Sequence, residues 1–127
     1  MQRQPRTISS PSDLAAQDSS WGRLFVYGTL IEPAERARLL GREIADAPAI
    51  LDGFERGRSR YFYVIRKRNS KVEGAILRGL ELRDFAILDQ YEDVPRLYTR
   101  EMIEVTDDSA RALRCWIYLP SGWERDG

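Results

Sequence analysis

Leu24-Phe25-Val26-Tyr27-Gly28-Thr29-Leu30 is the stretch on which the fold of this chain turns. Its run of large apolar, β-branched and aromatic side chains stops at a glycine, the pattern of a central strand ending where the backbone must turn sharply. Just beyond it, Pro33 suits the first turn of a helix, Leu39 and Leu40 give that helix an apolar end, and Gly41 suits the position past its C-terminus. Strand, tight turn and helix follow in that order, the strand spanning residues 23–28.

Further along, residues 49–54, 60–66 and 72–80 read as strands, with Asn69-Ser70 as the hairpin turn between the last two. Leu82, Phe85, Leu88 and Tyr91 recur at near-helical spacing over residues 81–91, and Pro95 blocks continuation, so a second helix ends near Glu92. Residues 99–105 and 113–119 flank the polar turn Thr106-Asp107-Asp108-Ser109 as another hairpin. The expectation is about six strands and about two helices.

A length of 127 residues is that of one domain, with residues 1–20 as a flexible tail and 21–127 as the folded part. The tail is rich in Gln, Arg, Ser, Pro and Asp and too poor in apolar side chains to offset the entropy of ordering it. It has no apolar stretch of the secretory kind, and Asp13 and Asp18 disfavour a transit role, so a cytoplasmic location is expected. No long uncharged apolar run is present to span a membrane. Lys plus Arg balances Asp plus Glu at 20 each, which leaves no net field to draw nucleic acid or an anionic membrane. Cys115 is the sole cysteine and histidine is absent, which removes internal disulfides, cysteine clusters for zinc and the commonest general base. Proton transfer then falls to Glu, Asp, Lys or Tyr.

Two readings of Tyr27-Gly28-Thr29-Leu30 stand side by side. Either it is a plain strand end with Tyr27 filling the core, or the N–H groups of residues 28–30, free between a strand and a helix, face a ligand anion. One glycine without a following lysine cannot make a phosphate loop. Glu92 is either a solvated charge or, at a helix C-terminus with Asp89 and Asp93 nearby, a carboxyl whose pKa is raised, and raised toward neutrality if a pocket also desolvates it. Asp89 itself is expected to turn toward solvent or toward loop N–H groups. Tyr98 and Tyr118 are strand aromatics whose hydroxyls are candidates to order Glu92 or a substrate. Arg56, Arg58 and Arg60, followed by Arg66, Lys67 and Arg68, read as a charged hairpin rim rather than a nucleic-acid surface. Cys115 reads as a small core residue. Trp21, Trp116 and Trp123 carry no distinctive spacing.

Together these residues resemble the gamma-glutamylcyclotransferase-like family, including its gamma-glutamylamine cyclotransferase branch and the AIG2-like proteins. Phe25-Val26-Tyr27-Gly28-Thr29-Leu30 is similar to the family signature (F/A)-x-Y-G-(S/T)-L. Val72-Glu73-Gly74 is similar to its V-x-G strand, and Leu88-Asp89-Gln90-Tyr91-Glu92 with Tyr98-Thr99-Arg100 to its L-D-x-(Y/F)-E…Y-x-R segment. The resemblance spans residues 23–119. It departs at Asp93, where the family often has glycine, and at Tyr61-Phe62-Tyr63, where a proline is frequent.

The resemblance implies a compact α+β fold with a mixed, barrel-like sheet around a pocket. It also implies release of 5-oxoproline from a small gamma-glutamyl compound, with no metal or organic cofactor. By the match, Glu92 is the catalytic acid/base and Tyr27, Gly28, Thr29 and Leu30 hold the glutamyl moiety, with Tyr98 and Tyr118 as further substrate-binding residues. The loop N–H groups then serve either the α-carboxylate or the developing oxyanion. The competing reading is a non-catalytic module binding a small metabolite or peptide in the same pocket. Neither a nucleic-acid nor a membrane partner is expected; leaving amine and oligomeric state are open.

Overall fold

The structure, a computed structural model, describes residues 20–58 and 61–122. The expected tail, apart from Ser20, lies outside the described residues, as do Arg60 and Trp123. A 3₁₀ turn (Ser20–Gly22) leads into β1 (Leu24–Val26), and a second (Thr29–Ile31) leads into α1 (Pro33–Leu40). Then come β2 (Asp46–Arg58), β3 (Phe62–Leu77), α2 (Leu82–Tyr91), β4 (Tyr98–Asp107) and β5 (Ala112–Pro120). The strands close a barrel in the order β1-β3-β2-β4-β5. β1 is antiparallel to β3 and parallel to β5, and this one parallel seam makes the closed sheet mixed. The expected α+β barrel-like architecture is what the chain adopts.

β1 explains why its sequence is apolar throughout. Successive side chains of a strand point to opposite faces. Phe25 and Tyr27 enter the barrel interior with Ile76, Val105, Ile117 and Leu119, whereas Leu24 and Val26 pack outward with Leu40, Phe85 and Leu88. Both faces of this short strand are therefore dry. The barrel closes around it only because Gly74 lacks a side chain: a Cβ there would land on the carbonyl oxygen of Val26 and 2.7 Å from the Phe25 ring.

The expected hairpin at Asn69-Ser70 is not formed there. β2 and β3 pair from Asp46↔Leu77 to Arg58↔Phe62, so their turn lies between Arg58 and Phe62. The expected strands 60–66 and 72–80 are not separate; β3 runs unbroken from Phe62 through Leu77, giving five strands among the described residues instead of about six. The turn-forming asparagine is used in a bulge instead. Asp52 pairs with Lys71 and Phe54 with Arg66, so Gly53 alone faces residues 67–70, and Gly53 (φ 83) and Asn69 (φ 65) are both left-handed.

The helices end as the sequence suggests. Gly41 closes α1 at φ 78, its N–H donating to the Ala37 carbonyl at 2.8 Å. At the start of α2 the buried Asp84 carboxylate accepts the Glu81 N–H at 2.8 Å and pairs with Arg42. Its other end is a Schellman motif: the Asp93 N–H donates to Gln90 (3.1 Å) and the Val94 N–H to Asp89 (3.0 Å), with Asp93 at φ 60. Asp93 thus holds the left-handed position that glycine takes most cheaply.

Candidate active site

The Schellman motif fixes Glu92 as the last residue of the α2 cap, facing the loop that follows β1. Between them lies a cavity of about 460 Å³. Tyr27, Gly28, Thr29, Leu30, Glu92, Tyr98 and Tyr118 all line it, so the residues singled out in the sequence come together on one cavity. Phe62, Tyr61 and Arg58 from the β2–β3 hairpin, Tyr91 at the end of α2, and Arg96 and Leu97 beyond it also line the cavity. Its volume is in the range of small-molecule sites.

Glu92 has no hydrogen-bond or ion-pair partner for its carboxylate among the described residues. Burial against this aromatic wall raises its pKa from the usual carboxylate range to about 7. Of the causes read from the sequence, desolvation by the pocket is the one that acts. Asp89 and Asp93 were expected to add repulsion, yet both are engaged elsewhere, and Asp89 does not turn to solvent or to loop N–H groups. Arg100 grips it through Nε (2.9 Å) and Nη2 (3.1 Å), and the Tyr118 hydroxyl donates to it at 2.6 Å. Arg100 is itself held between the rings of Phe85 and Trp116, 4.6 and 4.5 Å from their centroids. Asp93 pairs with Arg96.

The tyrosine hydroxyls also go elsewhere than to Glu92. Tyr27 donates to the Tyr118 carbonyl at 2.7 Å, Tyr98 to the Phe62 carbonyl at 2.6 Å, and Tyr118 to Asp89. Burial, reinforced by the charge of Glu92, pushes the Tyr98 phenol up to about 12, and burial likewise raises Tyr27 and Tyr118. These three phenols therefore stay protonated at neutral pH, whereas Glu92 is raised into that range. Burial also pushes the Cys115 thiol up to about 12, in keeping with a core side chain inside the barrel.

Gly28 is closely packed: a Cβ there would sit 3.0 Å from Phe62, which would have to give by a few tenths of an ångström. Phe62 in turn is covered by the guanidinium groups of Arg56 (5.1 Å) and Arg58 (5.0 Å). Arg56 also donates to the Tyr27 carbonyl at 2.8 Å. Sequence reasoning placed these arginines on a rim and did not single out Phe62 or Arg36. The strand alternation that puts Arg56 and Arg58 on one face was visible, but the partner across the hairpin was not, because the turn had been placed at the wrong site.

The family model described as gamma-glutamyl cyclotransferase, AIG2-like, matches residues 24–127. The chain belongs to this family. Among its relatives, AIG2-like protein C of Arabidopsis thaliana is 38% identical over 93 residues, covering 69% of this chain and 53% of the relative. AIG2-like protein D of the same plant is 35% identical over 102 residues, covering 76% of this chain and 65% of the relative. The chain therefore spans between about half and two thirds of the length of these family members. A solution structure of an Arabidopsis thaliana protein superposes with a TM-score of 0.71 at 26% identity, covering 81% of this chain and 64% of that one. A gamma-glutamyl cyclotransferase structure gives 0.68 at 18% identity, covering 79% and 66%, and so shares the fold. Among the described residues, no helix is long and apolar enough to cross a membrane.

Proposed function

We propose that this family member is a gamma-glutamyl cyclotransferase that releases 5-oxoproline and a free amine from a small gamma-glutamyl amine or gamma-glutamyl peptide. The observation that carries this reading is Glu92: a desolvated carboxyl with a pKa of about 7 and no partner among the described residues, opening onto the cavity walled by Tyr27, Gly28, Thr29 and Leu30.

The chemistry needs little more. The substrate's α-amine is tethered to its own γ-carbonyl, so selecting the reactive rotamer supplies most of the advantage of proximity. Glu92 as carboxylate accepts a proton from the α-ammonium, and the freed nitrogen lone pair attacks the γ-carbonyl carbon. The carbonyl electrons move onto oxygen as a five-membered ring closes. Glu92 then returns its proton to the leaving nitrogen, the oxygen electrons re-form the carbonyl as the old amide bond breaks, and the ring nitrogen gives its second proton to the released amine, leaving a neutral lactam and an ammonium. A pKa near the working pH suits one group to both transfers, and such catalysis contributes about 10²- to 10⁴-fold. N–H groups of residues 28–30 serve the α-carboxylate or the oxyanion, and the rings of Tyr27, Tyr98 and Tyr118 exclude water. No metal or organic cofactor enters this scheme, and no nucleic acid or membrane is needed as a partner.

The test is mass-spectrometric detection of 5-oxoproline from a panel of gamma-glutamyl amines and dipeptides, with wild type and Glu92→Gln. Product from the wild type and a loss of at least about 10²-fold in the variant are expected. Tight binding of gamma-glutamyl ligands without product would replace the reaction by a binding module, and retention of most activity by Glu92→Gln would remove the assignment.

A further inference from the structure

Every backbone carbonyl from Tyr27 to Ile31 has a donor. Gly28 and Thr29 are served from within the turn, by the N–H groups of Ile31 (3.0 Å) and Glu32 (3.2 Å). The others are served by two arginines from different elements. Arg56 of β2 donates to Tyr27 at 2.8 Å. Arg36 of α1 donates through Nη1 to both Leu30 (3.2 Å) and Ile31 (3.0 Å), while its Nη2 bonds the Ile44 carbonyl (3.2 Å) and pairs with Asp46.

Arg36 is only 2% exposed. A guanidinium at such depth needs acceptors for its N–H groups; both terminal nitrogens of Arg36 have them, from two chain segments at once, while Nε has none among the described residues. Its role differs from that of a core filler: it ties the C-terminal end of the site loop to the start of β2. Arg56 ties the other end. In a planar trans peptide the C=O and the following N–H point in opposite directions. Holding the Tyr27 carbonyl on Arg56 therefore aims the Gly28 N–H away from that arginine, and pinning the Leu30 and Ile31 carbonyls on Arg36 fixes the Ile31 and Glu32 N–H groups, which hold the Gly28 and Thr29 carbonyls and so orient the Thr29 and Leu30 N–H groups.

We propose that Arg36 and Arg56 are positioning residues that fix the peptide planes of the Tyr27–Leu30 wall of the cavity, and through them the fit of the glutamyl moiety. This rests on the cyclotransferase reading for the identity of the ligand. Neither arginine touches the reacting atoms in this scheme.

The experiment follows the backbone amide resonances of Gly28, Thr29 and Leu30 in ¹⁵N-labelled protein during titration with 5-oxoproline, alongside KM and kcat for the best gamma-glutamyl substrate. Arg56→Met keeps an apolar stem over Phe62 and removes the fork; Arg36→Lys keeps a cation beside Asp46 but cannot bond all three carbonyls. In the wild type the three amides shift on titration. Either variant weakens 5-oxoproline binding about tenfold and raises KM by a similar factor, the loss expected for a misaligned hydrogen-bonded site, with a smaller change in kcat. A merely structural role would lower the unfolding temperature and leave KM and the titration shifts of the folded protein unchanged, which overturns the inference. Amides that ignore 5-oxoproline in the wild type overturn it as well. Failure of the reaction looks different: amides that respond, and lose the response in both variants, with no 5-oxoproline ever produced, uphold the positioning role and remove the enzyme.

Discussion

Glu92 and Asp89 lie a single helical turn apart in sequence and have opposite fates. Asp89 is paired with Arg100 and hydrogen-bonded by Tyr118, while Glu92 has no hydrogen-bond or ion-pair partner among the described residues and is desolvated, which raises its pKa to about 7. Two outcomes follow for pH. Because the carboxylate form of Glu92 accepts the ammonium proton, kcat/KM is expected to rise with pH about a midpoint near 7, and a rising limb centred below pH 5 would contradict this. Stability runs the other way. With the folded pKa raised from 4.5 to about 7, the fold favours the protonated form; that contribution is whole below pH 4.5 and is lost as pH rises through about 7. Glu92→Gln is therefore expected to match the wild type in urea unfolding at pH 4 and exceed it by about 2–3 kcal/mol at pH 8. A gap independent of pH would mean that Glu92 is solvated.

At the scale of elements, α2 is the part that aims the acid. Its last turn is held by the Schellman hydrogen bonds and by Arg100, whose guanidinium joins the helix to β4 and lies against β5 through Trp116. Asp93 occupies the left-handed cap position at φ 60, and its pair with Arg96 is exposed and worth little. Asp93→Gly is accordingly expected to stabilise the protein by up to about 1 kcal/mol in thermal unfolding; a fall in the midpoint would show that the pair with Arg96 outweighs the backbone preference. Arg100→Met should cost about 1–3 kcal/mol by leaving Asp89 half-buried with Tyr118 alone. Helix ends of this kind are legible in sequence because their signals are local: Pro33, Gly41 and the apolar spacing of Leu82, Phe85 and Leu88 placed both helices. The bulge opposite Gly53 was not legible, because Asn-Ser turn chemistry serves a hairpin and a bulge equally well until the partner strand is known.

For the molecule as a whole, closure of the barrel rests on a short strand that touches both neighbours and carries the site loop directly behind it. Gly74→Ala places a methyl group on the β1 backbone at Val26, so the strain falls on closure and on the Tyr27–Leu30 loop together. A loss on the order of 3 kcal/mol in urea unfolding is expected, with activity falling in the fraction that still folds; a variant as stable as the wild type would mean that β1 can shift without harm. The amino-acid sequence by itself determined the buried strand, the helices, the terminal hairpin, the family resemblance and the residues that gather on the cavity, since each of these is written in local patterning and spacing. Only the tertiary structure decided that Glu92 has no partner among the described residues, that Asp89 is held by Arg100 and Tyr118, and that Arg36 and Arg56 bond the loop from either end. Charge state and hydrogen-bond partnership depend on which side chains meet across the barrel, and those contacts join residues far apart in the chain.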